Sequence, residues 1–233
     1  MRRAALVLVA LVLLPPGTAG ATRPGASLYA ATCLRCHGTQ GAGTRSGPSL
    51  RGAGALAADF YLRTGYMPLS SPGVQPHRTH VTLSEQQIDA LVRYVASFGK
   101  GPAVPTPHPE RGDVADGLRL FTGHCAGCHQ IVAQGGYVTG AVVPSLGDAT
   151  PTQIAEAVRV GPYLMPRFSK KAISDRELDS IVAYVTYTKH PDDPGGWAIG
   201  HVGPVPEGLV SWLIAGAALV GLCVLIGEKL RRR

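Results

Sequence analysis

The sequence predicts an all-α protein in which two small helical domains repeat one pattern and a membrane-spanning helix follows them. Three observations support this fold class. A five-residue motif at residues 33–37 returns 92 positions later at residues 125–129. Each half then contains a serine-led capping box before a stripe of apolar residues at helical spacing. Residues 208–227 carry no charge, and their number matches the length of a membrane span.

The first segment, residues 1–21, has the layout of an export signal. Arg2 and Arg3 precede an apolar run over residues 4–14, and small residues follow. The run is shorter than the roughly 20 apolar residues of a spanning helix. We therefore expect a signal peptide cleaved near Ala21, with an uncleaved N-terminal anchor as the alternative. Both interpretations put the two domains outside the cytoplasm.

The repeated motif is Cys-x-x-Cys-His, the attachment site of a c-type haem. In such a motif both sulfurs bond covalently to the haem, and the histidine supplies one axial nitrogen to the iron. The predicted attachment residues and axial ligands are Cys33, Cys36 and His37 in the first motif and Cys125, Cys128 and His129 in the second. A closed zinc site needs four such ligands where each motif offers three, and a thioredoxin-like redox pair needs no trailing histidine. The sequence therefore predicts two covalently bound c-type haems.

Each haem iron has a second axial position, and one methionine per half is suitably spaced to fill it. Met67 and Met165 follow their motif histidines by 30 and 36 residues, and a proline comes directly after each. His77 and His80 are alternative ligands in the first half, although the second half has no counterpart. We expect His/Met ligation of both irons, which raises the reduction potential relative to two histidines. With both positions filled by the protein, we expect electron transfer and no bond-making active site.

Each half is predicted to end in a capped helix. Ser84 opens the first and Ser174 the second, each with a Gln or Glu three residues later, and apolar side chains follow at helical spacing. Gly99 is expected to stop the first helix, and His190 with Pro191 the second. Each half is thus predicted as a helix, a haem loop, an irregular middle and a capped helix.

The short helix before each motif is predicted to cross the C-terminal helix of its own half. Gly25 and Gly117 stand at the same offset from their motifs, where a missing side chain permits close approach of two backbones. Tyr94 and Tyr184 occupy equivalent positions in the repeat. We expect these tyrosines as ordinary packing contacts at the crossing.

Charge is concentrated at the two ends of the chain. Of the 22 basic and 15 acidic residues, six bases lie among the first three and the last five residues. The body of the chain is therefore close to neutral, and nucleic acid is not an expected partner. The bases after the span put the C-terminus in the cytoplasm by the positive-inside rule. We expect a cell-membrane protein with its haem domains on the extracytoplasmic side.

These signals divide the chain into seven segments. The predicted segments are a signal peptide or anchor (1–21), a first cytochrome c domain (22–99), a proline-rich linker (100–111), a second cytochrome c domain (112–191), a pre-membrane segment (192–207), a transmembrane helix (208–227) and a basic cytoplasmic tail (228–233). The linker contains four prolines and is expected to be semi-rigid.

Several stretches beyond the haem motifs resemble a known family. They are residues 47–50, 64–69, 87–91 and 161–166, together with the approach to the span at 194–208. With two tandem class-I cytochrome c domains, an exported start and one C-terminal span, the chain is similar to the dihaem cytochrome c subunit of the actinobacterial-type menaquinol:cytochrome c reductase, the bcc complex. The resemblance implies the electron-transfer subunit of a translocase. It also implies three partners: a cytochrome b subunit, a Rieske iron–sulfur protein that donates electrons, and an aa₃-type cytochrome c oxidase that accepts them.

Two other functions fit the same haem motifs. One is a membrane-tethered dihaem electron carrier of the cytochrome c₄ kind, which works between separate complexes. The other is the cytochrome subunit of a periplasmic dehydrogenase. The resemblance in the pre-membrane segment favours the reductase subunit, and the C-terminal segment is the feature that discriminates among the three functions.

Overall fold

The computed structural model describes residues 24–192 and 204–232, and most of these residues are helical. They divide into two compact units, with the division between Val104 and Pro105. The predicted signal peptide or anchor lies outside the described residues, as do residues 193–203 of the predicted pre-membrane segment. The expected all-α class is confirmed, with one small β-hairpin added.

The first unit is built on the crossing of its first and last helices. Its elements are α1 (Pro24–Thr32), α2 (Leu34–His37), a 3-10 turn (Thr39–Gly41), α3 (Gly54–Arg63) and α4 (Glu85–Ala96). Both α1 and α3 pack against α4. Tyr29 of α1 and Leu91 and Val95 of α4 form the buried centre of this core. The first Cys-x-x-Cys-His motif lies at the junction of α1 and α2, so the core helices fix its position.

The second unit repeats this arrangement and adds a hairpin. Its elements are a 3-10 turn (Pro109–Arg111), α5 (Val114–His124), α6 (Ala126–His129), β1 (Gly136–Val138), β2 (Ala141–Val143), α7 (Pro151–Val160), α8 (Asp175–Lys189) and α9 (Pro204–Arg231). The antiparallel strands pair Tyr137 with Val142. Helices α5 and α7 both pack against α8, and Phe121, Ile181 and Val185 are buried in their shared core.

Both predicted capping boxes are present. The Ser84 hydroxyl accepts a hydrogen bond from the Gln87 backbone, and the Gln87 side chain accepts one from the Ser84 backbone. Ser174 and Glu177 make the same exchange at α8. These exchanges satisfy donors that the first turn of a helix leaves unpaired, so they fix where α4 and α8 begin. Each helix ends within three residues of its predicted stop.

The expectation of an irregular middle in each half is wrong, because each middle contains a helix. Helices α3 and α7 occupy these stretches. Helix α7 carries a recognisable start signal, since Thr150 and Gln153 form a third capping box with Pro151 in the first turn. Helix α3 begins after Ala53, which has no side-chain cap, and its start therefore has no comparable signal in the sequence.

The close helix crossing predicted in each half is confirmed. A Cβ atom built on Gly25 would lie 2.8 Å from Cβ of Tyr94, and one built on Gly117 would lie 2.7 Å from Cβ of Tyr184. Each would lie closer still to a backbone carbonyl oxygen of the facing helix. Glycine is required at both positions because any side chain would force the helices apart.

Substitution Gly117→Ala is expected to destabilise the second unit by about 2 kcal/mol or more, because the added methyl group overlaps α8. Gly123→Ala is the matched control on the same helix, since a Cβ atom there would have no atom of another described element within 4 Å. Denaturant titration of the full chain in detergent measures the free energy of unfolding of both variants. Equal stability of the two would contradict the crossing.

The proline-rich linker is held at both ends. The Pro102 carbonyl accepts a hydrogen bond from the Leu56 backbone within the first unit (3.1 Å). The His108 backbone donates to the Asp179 carboxylate within the second unit (2.7 Å). Each end of the linker therefore packs on the unit to which it is joined.

Helix α9 is long and apolar enough to cross a membrane over Val205–Arg231. The predicted span, residues 208–227, lies within this helix. Its large apolar side chains, Trp212 and Leu225 among them, are not covered by other described residues. Such exposure is typical of a helix that faces lipid. Helix α9 is thus suited to anchor the protein in a membrane.

Candidate haem sites

Each motif forms one turn of helix directly after the first helix of its unit. The His37 backbone N–H donates to the Cys33 carbonyl, and the His129 N–H donates to the Cys125 carbonyl, each over 2.9 Å. A helical turn brings side chains three and four residues apart onto one face. The two cysteines and the histidine of each motif therefore lie together, as attachment to one haem requires.

The imidazole of each motif is oriented by a backbone carbonyl. His37 Nδ1 lies 2.9 Å from the Pro48 carbonyl oxygen, and His129 Nδ1 lies 3.2 Å from the Pro144 carbonyl oxygen. A carbonyl can only accept, so Nδ1 carries the proton and Nε2 keeps its lone pair for a metal. Each half of the sequence contains this proline after its motif, but nothing in the sequence indicates that the proline carbonyl contacts the histidine.

A tyrosine holds the chain just after each motif. Tyr29 Oη donates to the Gly38 carbonyl (2.8 Å), and Tyr184 Oη donates to the Ile131 carbonyl (2.5 Å). Tyr184 is thus more than the packing contact expected from the sequence. The backbone reverses at this point with positive φ and extended ψ, which Gly38 adopts freely and Gln130, its counterpart in the second unit, adopts at a cost of about 1–3 kcal/mol.

Burial affects the reactive groups of both motifs. His129 is buried, which lowers its pKa, and the Pro144 carbonyl has a smaller opposite effect. Burial, followed by the nearby Cys128 thiol, raises the pKa of Cys125 to about 11, and burial also raises the pKa of Cys33. The Cys33 and Cys125 thiols are therefore protonated at neutral pH. No disulfide joins the five cysteines in the part of the chain that the structure describes.

The two candidate methionines lie in the loops after α3 and α7. The Met67 backbone N–H donates to the Tyr61 carbonyl (3.1 Å), and that of Met165 donates to the Pro162 carbonyl (3.0 Å). Met165 and Cys125 both pack on the hydrophobic core cluster of the second unit. Met67 is partly buried in its loop.

The alternative ligands in the first half, His77 and His80, are exposed. Thr79 lies between them, and its hydroxyl donates to the Gly65 carbonyl over 2.5 Å, which ties this loop to the turn that carries Met67. The identity of the second ligand of the first iron therefore stays a prediction, with Met67 as the expected residue.

Several large apolar side chains that follow the second motif or directly precede Met165 are exposed. They are Ile131, Val132, Tyr163 and Leu164. Exposed apolar surface beside reactive groups marks a place that a ligand covers. A haem bonded to the two cysteine sulfurs of the motif and ligated by the histidine Nε2 would cover such surface. The residues present therefore fit this group. Within residues 24–192 and 204–232, no cluster of three or more His, Cys, Asp or Glu side chains is arranged to hold a metal ion by itself.

Comparison with known proteins decides the family. Residues 20–95 and 112–185, each with one motif, match the family described as "Cytochrome C oxidase, cbb3-type, subunit III". A protein of Mycobacterium tuberculosis (strain ATCC 25618 / H37Rv), named "Cytochrome bc1 complex cytochrome c subunit", is 36% identical over 217 residues, which cover 89% of this chain and 78% of that protein. A protein of the same name from Corynebacterium diphtheriae is 34% identical over 224 residues, covering 88% and 80%. The chain belongs to this family of cytochrome c subunits.

A more distant relative is the "Cbb3-type cytochrome c oxidase subunit CcoP" of Azospirillum sp. (strain B510), which is 29% identical over 186 residues and is covered over 60% of its length. The family and the fold class predicted from the sequence are both confirmed: two cytochrome c domains and one apolar C-terminal helix. Cytochrome c domains bind haem covalently, so the subunit is a haem protein. Its role is electron transfer in respiration.

Proposed function

We propose that the subunit relays electrons from a Rieske iron–sulfur protein through two covalently bound haems to an aa₃-type cytochrome c oxidase. The observation that carries this proposal is the duplicated site. Each unit has one Cys-x-x-Cys-His turn beside a proline carbonyl that holds the imidazole Nδ1. Two such sites in one chain suit a relay, and relatives named as bc1 complex subunits support a position beside a cytochrome b subunit.

The residues proposed to hold the haems come from two motifs and two loops. They are Cys33, Cys36, His37 and Met67 in the first unit and Cys125, Cys128, His129 and Met165 in the second. A bound c-type haem accepts and releases one electron at its iron. The cysteines would hold the group covalently, the histidines would supply Nε2 to its iron, and the methionine sulfurs would be the second protein ligands of the iron. A thioether favours the reduced iron and therefore raises the reduction potential.

Electron transfer of this kind requires no bond to a substrate. With side chains of the subunit at both axial positions, a small molecule has no position at which to react. The subunit is therefore proposed as the electron-transfer part of a translocating menaquinol:cytochrome c reductase. Its proposed chemistry consists of holding one redox centre in each unit and orienting the ligands of that centre.

The orientation in the membrane follows from helix α9. Lys229 and Arg231 end this helix, and the positive-inside rule assigns such residues to the cytoplasmic side. Both haem units precede α9 in the chain, so they are proposed to lie on the extracytoplasmic side. This side suits covalent attachment of haem and exchange of electrons with an exported Rieske domain.

Purification of the complex tests this function. A tagged full-length subunit is extracted from its native membrane in mild detergent, and a reduced-minus-oxidised spectrum is recorded. We expect absorption bands of haem b and haem a beside those of haem c, because a reductase subunit docked to an oxidase carries its partners with it. Haem c alone, from an extraction that keeps other complexes intact, would favour the tethered carrier. Haem c together with a substrate-specific dehydrogenase would favour the third function.

A further inference from the structure

Arg159 lies at the base of the loop that carries Met165, near the C-terminal end of α7. We propose that Arg159 is a positioning residue for Met165: it holds the loop at residues 161–173 in the conformation that presents the thioether to the haem iron. This inference rests on the proposed function, in which Met165 is an axial ligand.

The guanidinium of Arg159 binds the far side of this loop. Arg159 Nη1 donates to the Phe168 carbonyl (3.2 Å) and to the Ile173 carbonyl (2.8 Å), and Nη2 donates to Asp175 Oδ1 (3.0 Å). Phe168 follows Met165 by three residues, and Ile173 lies at the end of the loop. One side chain thus ties the start of the loop to its middle and its end. Arg159 is only 8% exposed, and its hydrogen bond to the Ile173 carbonyl is buried, while the other two are partly buried.

The backbone closes the same loop at its neck. The Phe168 N–H donates to the Val158 carbonyl (2.9 Å), and the Met165 N–H donates to the Pro162 carbonyl (3.0 Å). Gly161 begins the loop in the left-handed conformation, and a Cβ atom there would lie 2.6 Å from the Arg167 nitrogen. The two sides of the loop therefore meet near its start. The backbone bonds do not join the rest of the loop, and the Arg159 side chain connects that part.

The hydrogen bonds of Arg159 are of a kind whose loss should strongly affect the loop that carries Met165. Hydrogen bonds from a charged donor are stronger than neutral ones, and a planar guanidinium can serve several acceptors at once. Removing the guanidinium would leave the buried Ile173 carbonyl and the partly buried Phe168 carbonyl without this partner, and unpaired polar groups are costly where water cannot reach them. The loop would relieve that cost by opening, and Met165 would move with it.

The first unit has an arginine at the matching position with a different set of partners. Arg63 precedes Gly65 by two residues, as Arg159 precedes Gly161. The guanidinium of Arg63 binds carboxylates on α3 and α4, namely those of Asp59, Glu85 and Asp89. The two arginines thus share a place in the repeat, and loss of Arg159 should loosen the methionine of the second haem only.

The test uses the full-length haem-loaded subunit in detergent with the variants Arg159→Lys, Arg159→Met and Lys170→Gln. Lysine keeps the charge but lacks the planar fork that reaches Phe168, Ile173 and Asp175 together. Lys170→Gln is the matched control, because Lys170 binds the same Asp175 carboxylate (2.7 Å) from an exposed position. Arg159→Lys also keeps the test decisive if Arg159→Met fails to fold.

Two measurements report on the methionine directly. Imidazole binds the ferric iron only after the methionine has left, so its apparent affinity measures the fraction of open loop. We expect the affinity of one of the two haems for imidazole to rise about tenfold or more in both Arg159 variants. A ferric His/Met haem has a weak absorption at about 700 nm that comes from its sulfur–iron bond. In both Arg159 variants this absorption should fall by up to about half, because only one of the two haems loses its methionine. Lys170→Gln should match the unmodified subunit.

A folded Arg159 variant with both haems attached and unchanged imidazole affinity would overturn the inference. Equal loosening of both haems would also overturn it, since that result indicates a general role in folding. Met165→His separates this failure from a failure of the proposed function. If Met165→His leaves the absorption near about 700 nm intact, Met165 is not a ligand and both proposals fail at this site. If Met165→His removes the part of this absorption that the second haem contributes, while the Arg159 variants keep the absorption and imidazole affinity of the unmodified subunit, only the positioning role of Arg159 is wrong.

Discussion

Replacing Cys125 and Cys128 together with serine is expected to lower the covalent haem content from about two to about one per chain and to stop quinol-driven electron transfer. Serine cannot form the thioether bonds, so the second unit cannot retain its haem covalently. The first motif is unchanged and keeps one haem. Intact-mass measurement and the haem c spectrum of the purified subunit count the haems, and oxygen consumption by membranes measures the electron transfer.

Cys223→Ser is the matched control for this prediction. Cys223 is the fifth cysteine, lies in α9 and belongs to neither motif. Its replacement should leave both the haem content and oxygen consumption unchanged. Two covalent haems in the doubly substituted chain, or one haem in the chain without substitutions, would contradict the assignment of one haem to each motif.

Replacing Met67 or Met165 with histidine is expected to lower the reduction potential of the haem in the same unit and to leave the other unaffected. A second imidazole stabilises the oxidised iron relative to a thioether. Axial ligands tune haem potentials over about 0.8 V, so the change should be large enough to interrupt the relay. Potentiometric titration measures both potentials, and the ferric absorption near roughly 700 nm should disappear in two stages across the single and double variants.

The paired substitution of His77 and His80 with glutamine is the control for the first haem. Both side chains are exposed, and we expect the spectrum and both potentials to stay as they are. An altered spectrum in this variant, together with a normal one in Met67→His, would show that the first haem takes a histidine in place of the methionine.

The sequence was sufficient to predict features that short-range rules determine. The two Cys-x-x-Cys-His motifs, the caps at Ser84 and Ser174 and the span within α9 all depend on neighbouring residues. The glycine crossings were also predictable, because Gly25 and Gly117 recur at one offset in a repeat. A residue that recurs at one offset in both halves indicates a structural requirement, even where the sequence does not show which contact causes it.

Other features were missed because they depend on distant contacts or on short elements. The Pro48 and Pro144 carbonyls orient the two imidazoles through the backbone, which has no residue signature. The β-hairpin has strands of three residues with outward-facing Tyr137 and Val142, so it lacks the alternation that predicts a strand. Helix α7 could have been found from its cap at Thr150. The partners of Arg159 lie nine to sixteen residues away across a loop, beyond the reach of any helical or strand periodicity.

Menaquinol-driven reduction of haem c in membranes with and without the Rieske protein tests the central claim most directly. Menaquinol is added to membranes in which the oxidase is inhibited, and the absorbance of haem c is followed in time. We predict rapid reduction of both haems of the subunit when the Rieske protein is present, and none when it is absent, while dithionite reduces both haems in either case. Unchanged reduction in membranes that lack the Rieske protein would contradict the relay.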